Sequence, residues 1–148
     1  MSATIALASD HAGFQLKEFL RCQLGEQVYD FGVYTTESVD YPDQALLVAE
    51  AVAAHKFELG LLICGTGQGM AITANKVRGI RAAVCHDTFS AHVVREHNDC
   101  NILTLGERIV GPGLAWDVVT AFLNARYLGE HHARRVAKMM AVQERHGQ

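Results

Sequence analysis

The segment Cys64-Gly65-Thr66-Gly67-Gln68-Gly69-Met70 is the part of the chain best suited to chemistry. Three alternating glycines stand between an apolar run and a helical pattern. Without β-carbons such a loop packs closely and turns its backbone N–H groups inward. The start of the following helix adds partial positive charge. The loop can hold a phosphate or a developing oxyanion. A Walker A loop would end in Gly-Lys-Ser/Thr, and a dinucleotide fingerprint would need glycine where Met70 stands. A Cys-x5-Arg phosphatase loop would need arginine there. The alternative is a tight structural turn.

Cys64 sits immediately before this loop. A thiol near a helix N-terminus and cationic groups can serve as base or nucleophile. The alternative is a small buried hydrophobe, the usual fate of free cysteine. Cys22, Cys85 and Cys100 read as structural. Asp10-His11 follows the first apolar run, where the pair can handle protons, bind an anion or cap a helix. His97, in His97-Asn98-Asp99, is a second candidate acid/base. His92 and His97 are five apart, off the spacing of a helical zinc site, so no metal is expected. Arg108 and the pair Arg134-Arg135 offer guanidinium groups suited to bidentate phosphate recognition. Arg81 and Arg126 are expected on the surface.

These residues need elements to hold them. Thr4 to Ala8, Val28 to Phe31, Leu59 to Cys64, Ile80 to Cys85 and Asn101 to Leu105 read as five strands. Between them lie helical patterns: one carrying Leu16, Phe19, Leu20 and Leu24, and others near 42–54, 70–76, 88–97 and 114–125. Gly25 stops the first helix, and Pro42 and Pro112 stand where helices can start. Residues 32–41 form a loop. A last basic helix runs from about His131 to Glu144. The alternation implies right-handed βαβ units, hence an α/β, doubly wound (Rossmann-like) five-stranded parallel sheet flanked by helices. Ligands bind beyond the carboxyl ends of such strands. That rule gathers Asp10-His11, Cys64 to Gly69, Cys85-His86-Asp87 and Gly106-Glu107-Arg108.

Composition agrees. The 148 residues are 49% apolar and 20% charged, an ordinary globule with net charge −3. One domain over 1–148 is expected. No general affinity for nucleic acid follows, and no apolar run approaches the roughly 20 residues of a membrane span. Met1-Ser2-Ala3-Thr4 offers no basic residue ahead of the apolar stretch, so no secretory signal is expected. The cysteines then read as reduced cytoplasmic thiols. Residues 126–148 carry +3 on an otherwise acidic chain. Val136, Met139 and Met140 form an apolar stripe there, so this last helix is expected to pack on a partner subunit.

The sequence resembles the sugar-phosphate isomerases that include ribose-5-phosphate isomerase type B and the galactose-6-phosphate isomerase subunits. The likeness covers nearly the whole chain. It is carried by Ser9-Asp10-His11-Ala12-Gly13, Glu37 to Asp43, Ile63 to Gly67, Ala74-Asn75-Lys76, Gly79-Ile80-Arg81-Ala82, Arg95 to Asp99 and Gly106 to Gly111. The resemblance implies an aldose–ketose isomerase without metal, nucleotide or other cofactor. By it, Cys64 is the base moving a proton between C1 and C2, with Thr66 assisting. N–H groups from Gly65 through Gly67 to Gly69 stabilise a cis-enediolate. His97, assisted by Asp10, opens the sugar ring. Tyr41 and Asn98 hold sugar hydroxyls. His11, Arg108 and Arg135 bind the phosphate, and Asn75 matches an active-site asparagine. It further implies a homodimer, or a dimer of dimers, with shared sites, in which residues 126–148 serve dimerisation and the phosphate site.

Two departures bear on substrate. Gly129-Glu130-His131-His132 puts His131 where the family commonly has a phosphate-binding arginine. Cys85-His86-Asp87-Thr88-Phe89 replaces small polar residues with larger ones. Ribose 5-phosphate is the expected substrate. Tetrose 4-phosphate, allose 6-phosphate and galactose 6-phosphate are the alternatives. A non-catalytic sugar-phosphate sensor would have no use for a base. A thiol redox protein would need a resolving cysteine near Cys64, and none is close in sequence.

Overall fold

Apolar runs such as Leu59 to Cys64 are buried on both faces inside a covered parallel sheet, and five strands form such a sheet here, the two outer ones less buried than the central three. In the computed structural model, which describes residues 3–147, they are β1 (Ile5–Ser9), β2 (Val28–Asp30), β3 (Leu59–Cys64), β4 (Ala82–Val84) and β5 (Ile102–Gly106). The ends of the expected 1–148 domain, including Met1-Ser2, lie outside the described residues. All pairings are parallel, in the order β2-β1-β3-β5-β4. The helices are α1 (Phe14–Leu24), α2 (Tyr41–Ala53), α3 (Gln68–Ala74), α4 (Thr88–Asn98), α5 (Pro112–Asn124) and α6 (His131–Arg145).

Alternate residues of each strand feed opposite cores. Leu7, Leu61, Ile63, Leu103 and Leu105 pack with Leu16 and Leu20 of α1, Ala91 of α4 and Phe122 of α5. Ala6, Ala8, Leu62 and Ile102 pack with Val48 and Val52 of α2 and Met70 of α3. The second face is built from small residues because its helices lie close. A β-carbon on Gly60 would stand 2.7 Å from Val48.

The expected strands and helices are all present, with displaced ends. α3 begins two residues early because Gly67 (φ 80°) turns straight into it. β4 is three residues long, not the six of Ile80 to Cys85. Its approach is held by backbone and side chains together: the Arg81 carbonyl accepts from the N–H groups of Asn101 and Ile102, Arg81 N–H donates to Asn101 Oδ1 at 2.8 Å, and Asn75 grips Ala82. Arg81 is not a free surface residue, since it donates to the carbonyl and carboxylate of Asp99. Cys22 is exposed on α1, whereas Cys85 and Cys100 are buried. The last helix lies on its own chain. Gln143 Oε1 accepts from Gly79 N–H, Arg78 pairs with Glu144, and Arg81 reaches Met140. Met139 and Val142 remain exposed on it.

A charge lies deep in the fold's interior at α1. Lys17 on α1 is fully buried, and its Nζ donates to Asp30 Oδ2 at 2.5 Å between the rings of Phe14 and Tyr34. Asp30 in turn accepts from Gly32 N–H, which starts the loop towards α2. Removing one partner of a buried pair leaves the other unpaired, which costs more than the pair contributes. Lys17→Ala is expected to destabilise by about 3 kcal/mol in urea unfolding. The double variant Lys17→Met, Asp30→Leu is expected to recover part of that loss.

Candidate functional site

In the strand order β2-β1-β3-β5-β4 the chain reverses its winding between β1 and β3. A crevice opens at such a switch point, outside the carboxyl ends of the strands. A cleft of about 370 Å³ lies there. Asp10, His11 and Ala12 enter it from the end of β1, Cys64, Gly65, Thr66 and Gly69 from the end of β3, Arg108 from beyond β5, and Tyr41 from the start of α2.

Each group is held by its neighbours. Asp10 caps the turn that follows β1, its Oδ1 accepting from Ala12 N–H at 3.0 Å and Gly13 N–H at 3.1 Å. It is both the cap and a cleft residue. His11 Nδ1 accepts from Val39 N–H at 3.2 Å. In the neutral ring the proton therefore sits on Nε2, an assignment made from this bond. The Cys64 sulfur is buried against the loop and accepts from Gly67 N–H at 3.1 Å. Cys64 is thus packed like a hydrophobe on one side and presented to the cleft on the other.

The loop is backed by β5. Thr104 Oγ1 donates to the Gly67 carbonyl at 2.9 Å. A β-carbon on Gly67 would press on the Leu105 backbone at 3.1 Å, and one on Gly106 would meet the Thr66 backbone at 2.5 Å. Glu107 N–H donates to the Cys64 carbonyl and Arg108 N–H to the Gly65 carbonyl. The Arg108 side chain then lies across Gly65, and the Tyr41 ring packs on Gly69, where a β-carbon would fall 2.3 Å away. Glu107 itself is turned to the first turn of α1, accepting from Leu16 N–H.

The remaining expected residues stand elsewhere in the same chain. Asn75 spends its amide on the Ala82 backbone, donating at 2.9 Å and accepting at 2.7 Å. Asn75 and Asn98 line a second, mostly apolar cleft under α6. The His97 ring stacks on His132, with centroids 4.1 Å apart, and His132 packs on His131 at 4.0 Å. Burial and the adjoining His131 push the His132 pKa down. Arg135 is exposed on α6. Val39 contributes a backbone N–H, which no side-chain type marks, and the histidine stack needs α4 and α6 side by side. Among the described residues no three His, Cys, Asp or Glu side chains are placed to hold a metal ion.

The profile of the Ribose/Galactose Isomerase family matches residues 5–139. The chain belongs to that family. It is 46% identical over 144 residues to ribose-5-phosphate isomerase B of Escherichia coli, covering 95% of this chain and 97% of that one. It is 43% identical to D-erythrulose-4-phosphate isomerase of Pectobacterium atrosepticum, covering 92% of each. The ribose-5-phosphate isomerase B structure from Clostridium thermocellum superposes with a TM-score of 0.94 at 50% identity, covering 96% of this chain and 98% of that one. The parallel α/β architecture is therefore that of the family.

Cys85 and Cys100 lie outside the cleft, and burial pushes their thiols up to about 11 and about 12. A thiol raised in this way is protonated at neutral pH and loses its proton only as pH climbs past those values. Brief alkylation of the native protein with iodoacetamide at about pH 8 is expected to modify Cys64 and the exposed Cys22, leaving Cys85 and Cys100 unmodified, as read by peptide mass spectrometry.

Proposed function

We propose that this chain is an aldose–ketose isomerase interconverting ribose 5-phosphate and ribulose 5-phosphate. The observation that carries the reading is the Cys64 sulfur, which accepts from Gly67 N–H at the head of the glycine loop, at the switch point of a family fold. A proton next to a carbonyl is weakly acidic, and its removal leaves an oxyanion. A base beside preorganised N–H donors answers both problems.

In the open-chain aldose, the Cys64 thiolate takes the C2 proton. The electron pair moves into the C1–C2 bond and the C1 carbonyl becomes an enediolate oxygen. N–H groups from Gly65 to Gly69 stabilise it. The O2 hydroxyl proton passes to O1, and the electron pair left on O2 forms the C2 carbonyl. C1 takes the proton back from the Cys64 thiol with Thr66 assisting the transfer, which gives the ketose and restores the thiolate. Arg108 and the Nε2–H of His11 hold the phosphate, whose distance from the reacting carbons provides orientation. Tyr41 holds a sugar hydroxyl.

His97, Asn98 and Arg135 complete the site in a homodimer, each copy supplying them to the other's cleft. Support for this comes from their absence among the residues lining the Cys64 cleft of their own chain, and from the apolar residues that α6 leaves exposed. His97, with Asp10, then opens the sugar ring, and the segment 126–148 serves both dimerisation and the phosphate. Asn75 supports the site through the β4 edge. The single-domain reading over 1–148 and a cytoplasmic location belong to the same proposal. No helix among the described residues is long and apolar enough to cross a membrane.

Proton NMR in D2O tests the chemistry. Ribose 5-phosphate is expected to yield ribulose 5-phosphate with solvent deuterium at the exchanging carbon. Cys64→Ser is expected to lower kcat by about 10²–10⁴ with an unchanged circular dichroism spectrum. Isomerisation persisting in that variant removes Cys64 from the base role. Tetrose and hexose phosphates in the same assay decide between ribose and the alternatives, erythrulose 4-phosphate first among them.

A further inference from the structure

β4 and β5 pair as far as Val84 and Thr104. In a parallel ladder the next residue, Cys85, would donate its N–H to the Thr104 carbonyl and accept from Gly106 N–H with its own carbonyl. The first bond forms, at 3.2 Å. The second does not. Gly106 N–H donates instead to Nε2 of His86, at 2.9 Å. The imidazole thus extends the ladder by one step after the β4 backbone has turned away towards α4.

Gly106 is a critical place for such a brace. Its α-carbon faces the Thr66 backbone, too close for any side chain between them. It is the register partner of Cys64. The next two N–H groups, of Glu107 and Arg108, bond the carbonyls of Cys64 and Gly65. A shift of Gly106 therefore moves the base, the N–H loop and the guanidinium together. We infer that His86 is a positioning residue for the isomerase reaction, its neutral imidazole holding Gly106, and through it the Cys64–Thr66 loop, in register. The inference rests on the function proposed above.

An acceptor imidazole must be neutral, with its proton on Nδ1. Burial pushes the His86 pKa down, and Asp87 pulls the other way. The other charged groups nearby in the chain are turned elsewhere: Asp87 accepts from Ser90 N–H, Glu107 from Leu16 N–H, and Arg108 lies across Gly65. The sign follows. The bond is complete above the ordinary histidine pKa and is lost as pH falls through the lowered value. Glutamine places a carbonyl oxygen near the position of Nε2 and accepts at any pH.

The experiment follows the Gly106 amide by 15N–1H NMR from about pH 8 to about pH 5 in the wild-type protein, with steady-state kinetics of wild type, His86→Ala and His86→Gln on ribose 5-phosphate. The wild-type amide is expected to titrate below pH 6.5, and in His86→Gln to stay flat. His86→Ala is expected to lose about tenfold in kcat with KM changed less than about twofold, and His86→Gln to keep most of the rate. If His86→Ala does not fold, the amide titration and the glutamine variant still decide. A flat wild-type amide, or an alanine variant with unchanged kcat, overturns the role of His86. A wild-type protein that turns over no sugar phosphate overturns the isomerase reading instead, whatever the amide does.

Discussion

The Gly67 peptide is gripped from both sides, and the site depends on that grip. Its N–H donates to the Cys64 sulfur and its carbonyl accepts from the buried hydroxyl of Thr104. Both bonds need the left-handed backbone at Gly67, and the backbone of Leu105 leaves no room there for a side chain. The sulfur, the loop and the central strand are thereby one rigid object. A preorganised donor array stabilises charge because it need not reorganise when charge appears. Rigidity of this kind is what the loop draws from β5.

The sheet order explains why the remaining groups arrive at the same place. β1 and β3 are neighbours across the switch point, so whatever follows each strand faces the other. Gly13 is pressed onto the Ile63 backbone so closely that a β-carbon would lie 2.5 Å from its carbonyl oxygen. This contact brings Asp10 and His11 against the cysteine. The helices on the two faces differ in how tightly they sit. The alanine-rich face lets α2 and α3 approach, and so Tyr41 at the head of α2 reaches Gly69 at the head of α3.

Much of this could be read from residue types. The run Leu59 to Cys64 marked its strand to the residue, because a central strand must be apolar throughout. Asp10 as a cap and as a cleft residue looked like alternatives in the sequence, yet one carboxylate does both, one oxygen serving the turn. Cys64 likewise is buried and presented at once. What the sequence concealed depends on backbone groups and on distant elements meeting. Val39 orients His11 through an N–H that carries no side-chain signature. β4 looked twice its length because Ile80 and Cys85, apolar and buried on either side of it, read as strand residues although the ladder runs only from Ala82 to Val84. Arg81 looked like surface charge, since its partner, Asp99, lies 18 residues away beyond α4.

Asn75 has a consequence for how two copies can meet. β4 is an outer strand, and an outer strand offers unpaired backbone groups to any other chain that comes alongside. The Asn75 amide takes both such groups of Ala82, behaving as a single residue of a strand that is not there. A second molecule cannot stitch its sheet to this one here without prising that amide away. Anything that docks on this edge at Ala82 must do so through side chains and not by adding a strand, so the sheet is closed on this side.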